Sequence, residues 1–346
     1  MKKTQLYANT LTDKRVAVVG VGGVGGYLAG MLGQVCPHLT LAARGGRKES
    51  LQRNGLILHS DYKGELTAVP EQVVEIKDLK EQDFIFICVK NYSLEEVCRE
   101  LAPTVTDETV IIPVMNGVNP GERVRSYLGR GTVVDSLIYI VAFANEDYSI
   151  TQQGDFARLC IGIKDAAVPQ EDEADVCQMK AARAQENGDT ACQKNAAPQE
   201  KAAETAALLT AADIDCEVAA DIEVEIWRKY ILNCAYNVET AFYDNTIGQL
   251  RGDEKKAKEY EALVNEAYQV GLAKGVAIRQ EHIDAIIHRF YYELADDATS
   301  SLQRDIRAGR RSEVDVFGGY IVREAERHGI PVPVSLKMYE KLREFQ

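Results

Sequence analysis

The sequence predicts an α/β domain built on a doubly wound parallel sheet, followed by an all-helical domain. Three observations carry this. Short apolar runs alternate with helical patterns through the N-terminal part. A glycine triplet, Gly20-x-Gly22-x-x-Gly25, stands between the first apolar run and the first helical pattern. From Ala202 onward the spacing of apolar residues is mostly helical. A chain of 346 residues also exceeds what one hydrophobic core usually holds.

In order along the chain, residues 1–14 form a polar N-terminal arm, and 15–164 the α/β domain. Arg15-Val16-Ala17-Val18-Val19 reads as a buried parallel strand, and helical spacing follows from Val24 to Leu32. Leu39–Ala43, Phe84–Val89, Val110–Val114 and Val133–Ile138 read as further strands, with a helix from Leu94 to Leu101. Gly55–His59 and Glu65–Val69 suggest an inserted hairpin. Tyr148–Thr151 and Arg158–Ile161 suggest two closing antiparallel strands. Residues 165–204, rich in Ala, Gln, Glu, Asp and Lys, read as an acidic insertion of low hydrophobicity, partly helical from Cys177 to Glu186. The helical domain spans 205–346, with helices over Asp221–Tyr236, Glu254–Lys274, Glu281–Leu294 and Val314–His328. Gly275 and Gly329 mark helix ends.

The bulk numbers exclude several classes. A net charge of −13 disfavours nucleic acid and anionic membrane as partners. No run reaches the roughly 20 apolar residues of a membrane span, and the first residues lack a secretory signal. The eight cysteines form no Cys-x-x-Cys pair, so no metal site is expected, and a reduced, cytoplasmic protein is. Monomer and homodimer both stay open.

The glycine triplet follows a strand and opens a helix, the context of a dinucleotide-phosphate cradle formed by Gly20, Val21, Gly22, Gly23, Val24 and Gly25. A plain structural turn is the alternative. The second strand ends in Arg44, where an NAD site usually has an acid that holds the ribose 2′-hydroxyl. A guanidinium instead suits a 2′-phosphate, so the expected cofactor is NADPH, with Arg47 and Lys48 adding to the field. Lys90 and Asn116 follow two apolar strands at their C-terminal ends, where open α/β sheets bind ligands, and are expected to line the cofactor cleft.

Far downstream, Trp227–Asn237 carries Lys229, Asn233 and Asn237 at i, i+4 and i+8, one face of a largely apolar helix. Buried without partners, such groups are costly, so the stripe faces a polar cleft or a satisfied network. A hydride carrier plus a preplaced ammonium is the minimum for reducing a carbonyl. Thr299–Asp305 and Glu313 form a further polar segment among arginines.

Together these motifs resemble the ketopantoate reductase (2-dehydropantoate 2-reductase) family. The residues that carry the resemblance are the glycine triplet, Val89-Lys90, Asn116-Gly117, Trp227-x-Lys229 with Asn233 and Asn237, and Ser300-Ser301 through Glu313-Val314-Asp315. The resemblance implies a Rossmann-type domain joined to a helical domain of the 6-phosphogluconate dehydrogenase C-terminal type, with the site in the cleft between them. It implies hydride transfer from NADPH to ketopantoate, giving pantoate for coenzyme A synthesis. Lys229 falls on the catalytic proton donor. Glu313 falls on the acid that holds the substrate hydroxyl and helps position the lysine, and it also falls among cofactor-binding positions. Asn233, Asn237 and Ser301 fall on substrate-binding positions, and Lys90 and Asn116 on cofactor contacts. The chain departs from the family at Ala298, where members carry Asn, at Val238, where many carry Pro, and at Ile247, where some carry Asn. The first and third remove possible polar contacts to substrate, which raises reduction of a different branched 2-keto acid as the alternative. A non-catalytic nucleotide sensor is the contrasting class, and retention of both Lys229 and Glu313 argues against it.

Overall fold

All four residues of β1, Val16–Val19, are buried, which is why its sequence is an unbroken apolar run. The computed structural model describes residues 11–164 and 190–345, and by their contacts these fall into two units. The first holds the described residues up to Val89, then Ser93–Met115 and Gly121–Ile222. The second holds Lys90–Tyr92, Asn116–Pro120 and the described residues from Glu223 on.

The strands of the first unit are β1, β2 (Leu39–Ala42), β3 (Leu56–Ser60), β4 (Gly64–Ala68), β5 (Gln72–Val74), β6 (Phe84–Ile87), β7 (Val110–Pro113), β8 (Thr132–Val133), β9 (Asp135–Ala144), β10 (Ile150–Gly162) and β11 (Asp215–Val218). Six of them make one sheet in the order β5-β2-β1-β6-β7-β8, and every pairing in it is parallel. The strand order turns back between β1 and β6, so the crevice for a ligand lies beyond the carboxyl ends of these strands. Alternate residues of β1 serve two cores. Val16 and Val18 pack with the Gly23–Leu32 helix, and Ala17 and Val19 with the Leu94–Leu101 helix.

A second sheet covers the outer side of the Gly23–Leu32 helix. Its path is β11-β10-β3-β4, with β9 antiparallel to β10. Small residues let the helix approach it: a Cβ at Gly26 would lie 2.4 Å from Ile150 Cγ1, and one at Gly30 2.8 Å from Leu58 Cδ2. Gly26→Val is therefore expected to overpack this contact and destabilise the protein by about 1–3 kcal/mol. An unchanged denaturation midpoint would mean that Ile150 swings aside at no cost.

Several expectations change. The strand expected over Val133–Ile138 is two: Val133 ends the parallel sheet in β8, and Asp135 starts β9 in the second sheet. The two strands expected near 148–151 and 158–161 are one, β10, whose register with β9 shifts between Gln153 and Arg158. The first unit also runs past the boundary expected at 205. The Thr190–Ala211 helix buries Ala202, Leu208 and Leu209 in the first core, and β11 pairs in parallel with β10. Leu11, expected in a polar arm, is 3% exposed and belongs to that same core. Residues 1–10 of the arm and most of the acidic insertion, including the helix expected over Cys177–Glu186, lie outside the described residues.

The second unit contains the helices Ile222–Tyr243, Ile247–Arg251, Glu254–Ala273, Gln280–Tyr292, Ser301–Arg307, Tyr320–His328 and Pro333–Leu342. Their ends follow the local chemistry. Asp253 accepts from the backbone N–H groups of Lys255 and Lys256, Thr246 and Gln249 make a capping box, and Gly329 stops its helix in the left-handed conformation. Trp227, Tyr230 and Tyr320 meet edge to face or tilted, which anchors the Ile222–Tyr243 helix. The helix expected over Val314–His328 begins instead with a π-helical turn, Asp315–Gly319. No described helix is long and apolar enough to cross a membrane.

Candidate active site

In the first unit, the chain leaves β1 through Gly20 at φ +90°, and Gly22 N–H donates to Gly20 O at 3.0 Å. A Cβ at Gly20 would sit 2.7 Å from Val89 Cγ1, and one at Gly25 only 2.1 Å from Gly20 O. These two glycines are thus required by the turn and by close helix–strand packing. Gly22 differs, because a Cβ there would meet no protein atom within 4 Å. What its missing side chain leaves open is backbone at a helix N-terminus, which suits a phosphate. Val21 is buried, Val24 half-buried, and Gly23 packs against Ala142.

Arg44 follows β2 and is exposed at the N-cap of the Gly45–Asn54 helix. The N–H groups of that helix's first turn and the Arg44 guanidinium make a second place for an anion. Arg47 and Lys48 are engaged elsewhere. Arg47 donates to Tyr148 O at 2.7 Å and lies over its ring, while Lys48 pairs with Glu75 at 3.7 Å. Arg44 is the arginine of this group that the described contacts leave on the surface.

In the second unit, Lys229, Asn233 and Asn237 share one face of the Ile222–Tyr243 helix, whose other positions bury Trp227, Tyr230, Ile231, Cys234 and Ala235. Asn237 donates to Asn233 Oδ1 at 3.4 Å. Its own Oδ1 accepts from Ser301 Oγ at 3.2 Å and Leu302 N–H at 3.3 Å. The ladder and Ser301 are therefore brought together. The preceding serine is used differently. Ser300 Oγ caps the Ser301–Arg307 helix and accepts from Thr240 at 2.7 Å. Burial lowers the pKa of Lys229 to about 8, against the opposing pull of the Glu313 carboxylate.

Glu313 is 5% exposed, and both of its oxygens are engaged. Oε1 accepts from Asn91 N–H at 2.9 Å and Asn91 Nδ2 at 3.0 Å. Oε2 accepts from Lys90 Nζ at 3.3 Å and Asn116 Nδ2 at 3.5 Å. Lys90 also pairs with Asp305 at 2.9 Å, and Asp305 with Arg310. Burial disfavours charge on Lys90, but Glu313 and Asp305 more than offset this and raise its pKa above the ordinary lysine value. Lys90 and Asn116, expected to line the cofactor cleft, here hold Glu313.

Sequence reasoning missed Asn91 and Asp305. Asn91 follows Lys90 directly, but its partner lies 222 positions away. Asp305 stands among arginines that mask its pairing with Lys90. The departure at Ile247 also reads differently, since its side chain is fully buried and anchors the short helix rather than facing a ligand. Ala298 is half-buried; its carbonyl accepts from Ile247 N–H at 3.1 Å and its N–H donates to Ala295 O at 3.1 Å.

A family model described as "Ketopantoate reductase PanE/ApbA" matches residues 16–165, and its C-terminal counterpart matches residues 221–346. The chain belongs to the PanE/ApbA ketopantoate reductase family. It is similar to the uncharacterized oxidoreductase YkpB of Bacillus subtilis (strain 168), at 25% identity over 95% of this chain and 98% of the relative. It is also similar to the 2-dehydropantoate 2-reductase of Caulobacter vibrioides, at 28% identity over 92% of this chain and 95% of that one. Among solved structures, the PanE/ApbA family ketopantoate reductase from Ralstonia eutropha JMP134 superposes with a TM-score of 0.79 at 23% identity, covering 95% and 97% of the two chains. The family is one of oxidoreductases that use nicotinamide cofactors and act on small keto acids.

Proposed function

We propose that this protein reduces ketopantoate to (R)-pantoate with NADPH, using Lys229 as the proton donor. The observation that carries the reading is Lys229 itself, an ammonium brought to a pKa of about 8 on the same helix face as Asn233 and Asn237. NADPH, when bound, supplies the hydride that adds to the keto carbon. Charge then develops on the carbonyl oxygen, so an ammonium there stabilises the transition state more than the ground state. A donor that titrates near the working pH passes on its proton readily. Asn233 and Ser301 offer polar groups for the substrate's carboxylate and hydroxyl, and the Glu313 carboxylate favours the charged form of the lysine.

Gly20–Gly25 and the helix that follows hold the pyrophosphate, and Arg44 with the N-terminus of the Gly45–Asn54 helix holds the 2′-phosphate. A charge-assisted contact of this kind contributes about 1.5–3 kcal/mol. Arg44→Ala is accordingly expected to raise the KM for NADPH roughly ten- to a hundredfold and to leave that for NADH nearly unchanged. Equal effects on both cofactors, or similar constants for both in the wild type, would remove the assignment.

A second reading is reduction of another branched 2-keto acid on the same machinery. It is favoured by Ala298, whose side chain offers no polar contact beside Thr299. The experiment that tests the proposal is oxidation of NADPH followed with ketopantoate and with a panel of branched 2-keto acids. The highest kcat/KM for ketopantoate supports the first reading, and a clear preference for another acid supports the second. No oxidation with any of them refutes both.

A further inference from the structure

We infer that Asn91 is a positioning residue, a clamp that fixes the Glu313 carboxylate and through it supports the charge on Lys229. The inference rests on the proposed roles of those two residues.

Asn91 is 5% exposed and spends every donor that faces the site. Its backbone N–H and one side-chain N–H both go to Glu313 Oε1, at 2.9 and 3.0 Å. Its side-chain nitrogen also donates to Asn116 O at 2.8 Å. A carboxylate oxygen has two lone pairs in its plane, so these two bonds use up Oε1 and stop the carboxylate from turning. Oε2 is left as the oxygen that meets Lys90 and Asn116.

The amide can sit only one way round. Flipped, its oxygen would face Glu313 Oε1 and Asn116 O, two acceptors with nothing to donate. Aspartate would set a carboxylate against a carboxylate and a carbonyl. The position thus calls for a side chain with two donors at the reach of asparagine. The Glu313 carboxylate held in this way is the group that opposes the loss of charge on Lys229.

The test compares the wild type with Asn91→Ala and Asn91→Ser in the full chain. The first readout needs no substrate: acetylation of Lys229 by acetic anhydride is followed by mass spectrometry as a function of pH, and its midpoint reports the lysine's titration. In Asn91→Ala the midpoint is expected to move to lower pH, and in Asn91→Ser, which keeps one donor, to move less. The second readout is turnover, where Asn91→Ala is expected to lose about tenfold in kcat, with the alkaline limb of its pH profile shifted in the same direction. A wild-type midpoint in a folded Asn91→Ala protein overturns the inference. If that variant does not fold, a wild-type midpoint in Asn91→Ser does so instead. If the wild type reduces no keto acid, the proposed function falls, while the acetylation comparison still decides the role of Asn91.

Discussion

Replacing Lys229 by alanine is expected to slow keto-acid reduction by about 10²–10⁴-fold, the usual contribution of a positioned proton donor. Binding of NADPH should survive, because the cradle proposed for its phosphates is the Gly20–Gly25 turn and Arg44. The truncation leaves no ammonium to meet charge developing on the carbonyl oxygen, and it leaves the carboxylate of Glu313 without the cation it supports. Arginine at 229 keeps a charge but does not give up a proton at any working pH, so Lys229→Arg should recover binding more than turnover. The pH dependence follows from the titration of the lysine. A donor must be protonated to act, so kcat/KM for reduction should be flat below about pH 8 and fall tenfold per pH unit above it. That limb should vanish from the residual activity of Lys229→Ala. Near-normal turnover in the alanine variant, or an unchanged alkaline limb, would mean that another group donates the proton.

The parts of the protein that were legible in its sequence are those where a local pattern has one physical solution. Phe84-Ile85-Phe86-Ile87 is buried on both faces, and only a central parallel strand offers that environment. Lys229, Asn233 and Asn237 among the buried apolar residues of their helix require a polar surface, and their spacing alone states which face it is. Where several solutions exist, tertiary contacts chose. The sequence between Thr151 and Arg158 carries no strand pattern, yet Gln152 is fully buried and its amide donates to the backbone carbonyls of Gln153 and Gly154, so a single long strand carries an irregularity there. Val133–Ile138 is apolar apart from Asp135 and Ser136, and because both of these are buried, the change from one sheet to another at Val134 does not stand out from a single strand. The bonds around Glu313 were hidden for a different reason. Lys90, Asn91 and Asn116 are loop residues until the fold brings them to a glutamate 197 to 223 positions later.

Glu239→Gln is expected to stabilise the protein, and by more as the pH rises. Glu239 is 0% exposed, and neither carboxyl oxygen has a hydrogen-bond partner among the described residues. Burial, and then the Glu259 carboxylate, push its pKa from 4.5 to about 9; Asp253 acts in the same direction, and Lys256 and Lys337 only partly oppose them. Tyr260 and Tyr243 also sense its charge. The folded value lies above the unfolded one, so between these pH limits the unfolded chain binds fewer protons than the native protein. Stability is then fully present below about pH 4.5, is lost as the pH rises, and levels off above about 9. At about 1.4 kcal/mol per pKa unit, the cost is on the order of 3 kcal/mol at pH 7 and 6 kcal/mol above pH 9. Glutamine removes the titration and keeps buried polar groups, whereas Glu239→Leu removes those groups too and should gain somewhat more. Thermal midpoints from pH 5 to 10 decide the matter: the gap between wild type and variants should widen steadily, and parallel curves would show that Glu239 is ionised or solvated. Because Glu239 and Lys229 share one helix, alkaline loss of activity has two separable origins. Titration of Lys229 acts on kcat/KM in folded protein and should persist in Glu239→Leu, while the unfolding caused by Glu239 should not.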